Sequence, residues 1–83
     1  MMLEKILAAY EDTEFLKADG LDGAIIGVDG RADRLVYSVT KVIEILIKEQ
    51  GMTQDDAFDH FYYNIEGSYM GDKTPIWCFD YFA

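Results

Sequence analysis

The spacing of hydrophobic positions switches along this chain between helical and strand-like periods. Leu3, Ile6, Leu7 and Tyr10 recur at i, i+3, i+4 and i+7, the stripe of an amphipathic helix, with Glu4 and Lys5 off it. Phe15 and Leu16 are expected to tuck a second short turn onto the core. Asp19-Gly20-Leu21-Asp22-Gly23 is turn chemistry tolerant of positive φ. Residues 24–28 (AIIGV) are short, branched and bounded by glycines, which predicts a strand. Gly27 inside it predicts a bulge or a close backbone approach. Residues 29–33 make a loop of hairpin length, and 34–38 (RLVYS) alternate as the partner strand.

From Val39 the period becomes helical again. Val39, Val42, Ile43, Leu46 and Ile47 make one apolar face through Gln50, with Ser38 or Thr40 as the cap. Glu44 and Lys48 are spaced as an i, i+4 pair, and Gly51 is placed to end the helix. Thr53 starts the next helix, with Asp55 and Asp56 where the helix dipole favours negative charge. Phe58, Phe61, Tyr62, Ile65 and Tyr69 keep one face apolar if this helix runs to Gly71; the alternative stop is Gly67. Pro75 bars further helix, and residues 76–81 (IWCFDY) read as a third strand. The expected fold is α+β in the order α-β-β-α-α-β: a small three-stranded antiparallel sheet with helices on one face. Residues 1–83 are expected to form one compact domain.

Composition limits what such a domain can do. A chain of 83 residues has a thin stability margin, and 51% hydrophobic with 14% aromatic content is what permits a core. The single Cys78 excludes an intramolecular disulfide and fits a reducing compartment. No apolar run has the length of a signal peptide or a membrane span, so a cytoplasmic protein is expected. The net charge of −9 disfavours nucleic acid and anionic lipid and favours a protein partner with a basic surface.

Candidate chemistry is sparse. His60 is the one histidine, has no second ligand at i±4, and is expected at the surface. Cys78 lies among apolar strand residues, as an inert thiol does. Phosphate-cradling glycine motifs are absent. Asp19, Asp22, Asp29 and Asp33 fail the EF-hand pattern. Neither catalytic residues, metal nor cofactor is therefore expected. The acids are more suggestive. Glu11, Asp12, Glu14, Asp19, Asp22, Asp29 and Asp33 face only Lys17 and Arg31 within 11–33, and Asp55, Asp56, Asp59 and Glu66 have no base among them. Such carboxylates can imitate phosphates. In an extended strand Trp77, Phe79 and Tyr81 would share one face; core burial is the default expectation for that row, and exposure, a composition typical of interface anchors, is the alternative. Asp22, Asp29, Asp55, Asp56, Asp59, Trp77, Phe79 and Tyr81 are thus the interaction candidates.

Asp56, Ala57, Phe61, Tyr63, Asn64, Gly67, Tyr69, Gly71, Thr74, Pro75 and Ile76 carry the pattern D-A-x-x-x-F-x-Y-N-x-x-G-x-Y-x-G-x-x-T-P-I. With 34–46 (RLVYSVTKVIEIL), this stretch resembles a group of short acidic proteins of tailed phages and prophages. The resemblance implies an accessory protein, acting in the host cytoplasm, that binds and redirects a host protein; it implies no catalytic residues. Within the pattern, Tyr63, Asn64 and Tyr69 are expected to hold the turn before Pro75. The expected function is a non-enzymatic module that inhibits a basic nucleic-acid-processing or defence protein. The competing expectation is a homodimer or larger homo-oligomer assembled through the aromatic strand, and a hydrolase or ligand-binding domain around Tyr63, Asn64 and Tyr69 ranks behind both.

Overall fold

The computed structural model describes residues 1–68 and 71–82. Its elements follow the expected order: α1 (Met2–Ala9), a 3-10 turn (Asp22–Ala24), β1 (Ile25–Asp29), β2 (Arg34–Ser38), α2 (Val39–Gln50), α3 (Gln54–His60) continuing as a π-helical segment (Phe61–Glu66), and β3 (Ile76–Cys78). The class is α+β.

The sheet order is β1-β2-β3. β1 and β2 form an antiparallel hairpin, with Ile25 opposite Tyr37 and Val28 opposite Leu35. The register slips between Ile25 and Gly27, so the bulge is real. A Cβ on Gly27 would meet nothing within 4 Å, so the glycine does not mark a close approach. At the hairpin tip Asp33 takes φ 53°, and Asp29 Oδ1 accepts the Arg31 N–H at 3.0 Å. That bond is the local side-chain turn for which aspartate is suited.

β3 corrects the expectation of an antiparallel sheet. It runs parallel to β2, with Tyr37 opposite Trp77 and Ser38 opposite Cys78, so the sheet is mixed. Parallel strands need a crossover of a dozen or more residues, and 39–75, with its two helices, supplies one. Strand composition does not encode this direction. β3 is also shorter than 76–81, because Asp80 leaves the ladder for another partner.

That partner is α2. Ser38 Oγ caps the helix by accepting the Lys41 N–H at 3.1 Å. Ser38 Oγ then donates to Asp80 Oδ2 at 2.5 Å, and the Thr40 N–H donates to Asp80 Oδ1 at 3.1 Å. The Ser38 hydrogen bond, then the Thr40 N–H, holds the Asp80 carboxyl below the usual carboxylate range. At the far end Gly51 takes φ 69°, and the Leu46 carbonyl accepts its N–H. Leu46 also receives the Met52 N–H at 3.3 Å. Glu44 and Lys48, although correctly spaced, do not close to an ion pair; among the described residues the ion pair is Lys17–Asp22, at 3.6 Å.

The core is one cluster. It unites Leu3 and Ile6 of α1, Ile25, Leu35 and Tyr37 of the hairpin, Val39, Val42, Ile43 and Leu46 of α2, and Ala57 and Phe61 of the last helix. All three helices thus pack with one sheet face. Each such aliphatic or aromatic burial contributes roughly 1.5–3 kcal/mol before chain entropy is subtracted. The α1 stripe is only half used. Leu7 is exposed, because the helix stops at Ala9 and Tyr10 leaves it (φ −122°, ψ 56°) to meet Phe15 edge-on at 6.0 Å. Leu16 is exposed, and no second helical turn forms there. The buried Tyr37 hydroxyl accepts the Ala18 N–H at 2.9 Å, tying this loop down.

Candidate functional site

The rod formed by α3 and its π-helical continuation organises the most distinctive surface of the molecule. Its start is local chemistry: Thr53 Oγ1 accepts the Asp56 N–H at 3.1 Å. From there side chains line up in rows four residues apart. Ala57 and Phe61 are buried and Ile65 half-buried, which makes the inner row. An α-helical stripe would alternate steps of three and four. The wider π turn, with its i→i+5 hydrogen bonds, keeps the step at four, so Tyr62 and Tyr63 are carried outward. Tyr62 is therefore exposed at the surface, where the α-helical stripe placed it in the core.

Beside the inner row runs an aromatic row, Phe58 and Tyr62, whose rings lie 6.4 Å apart. The segment after β3 lies against it. Phe79 packs on Phe61 at 6.0 Å and Tyr62 at 6.3 Å, and Tyr81 packs on Phe58 at 6.0 Å. Phe82 stacks on Tyr81 at 4.8 Å. The Tyr62 and Tyr81 hydroxyls are 3.5 Å apart, and the Tyr81 hydroxyl pushes the Tyr62 phenol up. Between α2 and α3, Ile43, Ile47, Phe58 and Tyr81 line an apolar groove of about 240 Å³.

The outward row is Asp55, Asp59 and Tyr63, all exposed. Tyr63 is 82% exposed and Phe82 81%. Tyr63 and Phe82 flank the packed rings of Phe58, Tyr62, Phe79 and Tyr81, and it is a contiguous apolar surface of this kind, rather than scattered single residues, that marks interaction sites. On the remaining side His60 and Asn64 meet, with Nδ1 and Nδ2 3.4 Å apart, and Ser68 Oγ donates to the Asn64 carbonyl at 2.9 Å.

The candidate residues thus separate into groups. Asp55, Asp59, Phe79 and Tyr81 gather on and around the rod. Asp56 sits in its capped first turn. Trp77 is not an outward anchor: its ring lies 5.0 Å from Tyr37 and 5.5 Å from Phe61, facing the core. Asp22 pairs with Lys17 and Asp29 holds the hairpin turn, so both carry local structural work. Thr74 and Arg34 contribute to the turn before Pro75. Thr74 donates its N–H and hydroxyl to the Gly71 carbonyl, at 3.1 and 2.7 Å, and Arg34 Nε donates to the Thr74 carbonyl at 2.5 Å. Gly71 has φ 93°, and Gly67 ends the rod. Tyr63 points to solvent and Asn64 to His60; Tyr69 lies outside the described residues. Sequence reasoning gave no surface role to Tyr62, Tyr63 or Phe82 and no capping role to Asp80. The run Phe61-Tyr62-Tyr63 was the available signal, since three consecutive helical residues span about 200° of the helix and cannot all face one core.

Among the described residues no cluster of His, Cys, Asp and Glu could hold a metal ion, and no helix is long and apolar enough to cross a membrane. His60 makes no hydrogen bond to a carboxylate, hydroxyl or thiol among them. No family model matches the chain, and neither a curated protein nor a solved structure matches it significantly. The molecule is an α+β domain with an open mixed sheet, defined by its own geometry.

Proposed function

We propose that this domain is a non-enzymatic interaction module that binds a basic protein through the α3 rod and the aromatic segment packed on it. The observation that supports this most is the adjacency of Tyr63 and Phe82, both more than 80% exposed, to a rod bearing Asp55, Asp56, Asp59 and Glu66 and neither Lys nor Arg. Acidic residues steer a basic partner and fix its orientation. Desolvated aromatic anchors then supply short-range affinity. In this reading the carboxylates take the place of nucleic-acid phosphates on the partner's basic surface. Together with the resemblance to short acidic phage proteins, this makes a host nucleic-acid-processing or defence protein in the cytoplasm the proposed target, and inhibition by occupancy the proposed action.

The test is affinity capture from host lysate at low and high salt, followed by association kinetics with the purified captured protein. A basic partner is expected, lost at high salt. Asp59→Lys, which lies beyond the capped first turn, should slow association several-fold and flatten its salt dependence while the fold survives. A partner bound equally well by Asp59→Lys at both salt concentrations would sink the electrostatic account, and turnover of a substrate by the pure protein would sink the non-enzymatic one. A second reading, self-association, is favoured by the outer sheet face. Ile26, Val36 and Ile76 are half-buried there and lie outside the core cluster. A mass in solution that rises with concentration supports that reading.

A further inference from the structure

The groove between α2 and α3 runs beside the aromatic row. Thr40, Ile43, Glu44 and Ile47 form its α2 wall, Gln54 and Phe58 its α3 wall, and Tyr81 closes it from the terminal segment. Thr40 and Ile47 are seven positions apart on one helix, about 10 Å along its axis. The volume of about 240 Å³ lies below the roughly 300–1,000 Å³ of small-molecule pockets. A side chain from a partner suits that space better than a drug-sized ligand. Ile43, Ile47 and Phe58 make its apolar contact surface, and the Tyr81 ring is partly open to solvent.

Charge decides what flanks that side chain. The lining carries one charge, that of Glu44, which is exposed and has no ion pair among the described residues. Asp80, next to Tyr81, keeps its carboxylate on Ser38 and Thr40 at one end of the groove. Asp55 and Asp59 follow Gln54 and Phe58 on the rod. Lys41 and Lys48 follow Thr40 and Ile47 on α2, but Lys41 borders a separate hollow, together with Asp22 and Glu49. The surroundings are therefore net negative. A second copy of this acidic chain is repelled there, and a cationic segment is drawn in. Arginine suits the site better than lysine, because its guanidinium both stacks on an aromatic face and pairs with a carboxylate. We propose that the groove takes one aliphatic side chain of the basic partner, flanked in that partner by arginines. The aliphatic side chain lies on Ile43, Ile47 and Phe58, one guanidinium stacks on Tyr81, and another meets Glu44. This rests on the interaction-module reading, which supplies a basic partner but assigns it no anchor residue.

Three acetylated and amidated pentapeptides test this: Arg-Arg-Leu-Arg-Arg, Arg-Arg-Ser-Arg-Arg and Glu-Glu-Leu-Glu-Glu, titrated into the full chain with labelled isoleucine methyls. The basic leucine peptide should shift the Ile43 and Ile47 methyls saturably in the millimolar range and weaken as salt is added. The serine peptide should bind at least about tenfold more weakly, because it buries no apolar anchor, and the acidic peptide should leave these methyls in place. Glu44→Lys, a change at an exposed position, should weaken the leucine peptide at least about threefold. Ile47→Thr, at a half-buried position and of similar size, should weaken the leucine peptide several-fold and leave the serine peptide unchanged; where it does not fold, Glu44→Lys decides. The proposal is overturned by the absence of a saturable shift, by the serine or acidic peptide binding as well as the leucine peptide, or by unchanged affinity in either folded variant. If those results come while a captured basic partner still depends on Asp59, the groove assignment alone falls. If the leucine peptide binds as expected while Asp59→Lys leaves the captured partner untouched, the groove stands and the reading of the rod falls.

Discussion

Asp80→Ala should destabilise the domain by about 2 kcal/mol, because a residue in the terminal aromatic segment caps a helix that begins some forty positions earlier. Two contacts are lost: the Thr40 N–H and the Ser38 hydroxyl both donate to this carboxylate. Losing an N-cap acceptor costs about 1 kcal/mol, and losing the charge at a helix N-terminus about 0.3–1 kcal/mol. Ser38 is fully buried, so its hydroxyl loses an acceptor that water cannot easily replace, a further cost of about 1 kcal/mol at the low end of the usual range. The carboxylate itself is solvent-exposed, and screening trims the charge contribution. For a domain of this size, about 2 kcal/mol corresponds to a melting temperature roughly 8–16 °C lower. The pH dependence follows from the depressed Asp80 pKa. A carboxyl lowered by folding adds stability above its unfolded pKa, near ~3.9, and that stability disappears as pH falls through the folded value. Urea unfolding at pH 7 and at pH 2.5, followed by circular dichroism, should therefore show the gap between wild type and Asp80→Ala narrowing in acid. A variant within 0.5 kcal/mol of wild type at pH 7, or a gap that does not change with pH, would refute the capping role.

Three further outcomes are expected. Phe61→Ala removes the ring on which Trp77, Phe79 and Tyr62 pack; a loss of about 3–5 kcal/mol should leave it largely unfolded by near-ultraviolet circular dichroism at 37 °C. Tyr37→Phe strips the Ala18 N–H of its acceptor and should cost about 1 kcal/mol in chemical denaturation. Burial raises the Tyr37 pKa, with Asp22 and Asp19 adding to it against the Ala18 hydrogen bond, so the wild-type advantage should be fully present below pH ~10 and fade as pH rises through the folded value, whereas the variant shows no such fade. Tyr63→Ser and Phe82→Ser should each change stability by less than about 0.5 kcal/mol yet weaken partner binding by about tenfold or more in calorimetric titration.

The parts of the fold legible in the sequence were those written in local spacing. The β2 and α2 limits follow from a change of period between Ser38 and Val39, and Ser38, Gly51 and Thr53 announce the helix ends through side-chain chemistry acting over three or four residues. Gly27 marked its bulge for the same reason. What could not be read depends on distant partners. The direction of β3 is set by the crossover, not by its own residues. Asp80 looks like a lone polar residue in an aromatic strand until Ser38 and Thr40 are beside it. The π-helical segment has no simple residue code, so an α-helical stripe puts Tyr62 in the core, whereas the wider coil turns it outward and sets Asn64 beside His60. The acids were visible as types, but only the fold separates Asp22 and Asp29, occupied at turns, from Asp55 and Asp59, which stand free on the rod.

The parallel docking of β3 on β2 has a consequence for the order of assembly. The β1–β2 hairpin closes across a four-residue turn (residues 30–33), but β3 reaches β2 only after 39–75 has been gathered in. By loop-closure entropy the second event costs about 2 kcal/mol more than the first, and contacts so distant in sequence are slow to form. The hairpin with α2 is therefore the early-forming unit, while β3 and the aromatic segment join late and detach first. In native-state hydrogen exchange the amides of 76–78 should open together, at lower free energy than those of Leu35 and Tyr37. Each such opening withdraws the Asp80 cap and uncovers Trp77 and Phe61 at once, which makes the terminal segment the hinge on which the surface of the rod is assembled or undone.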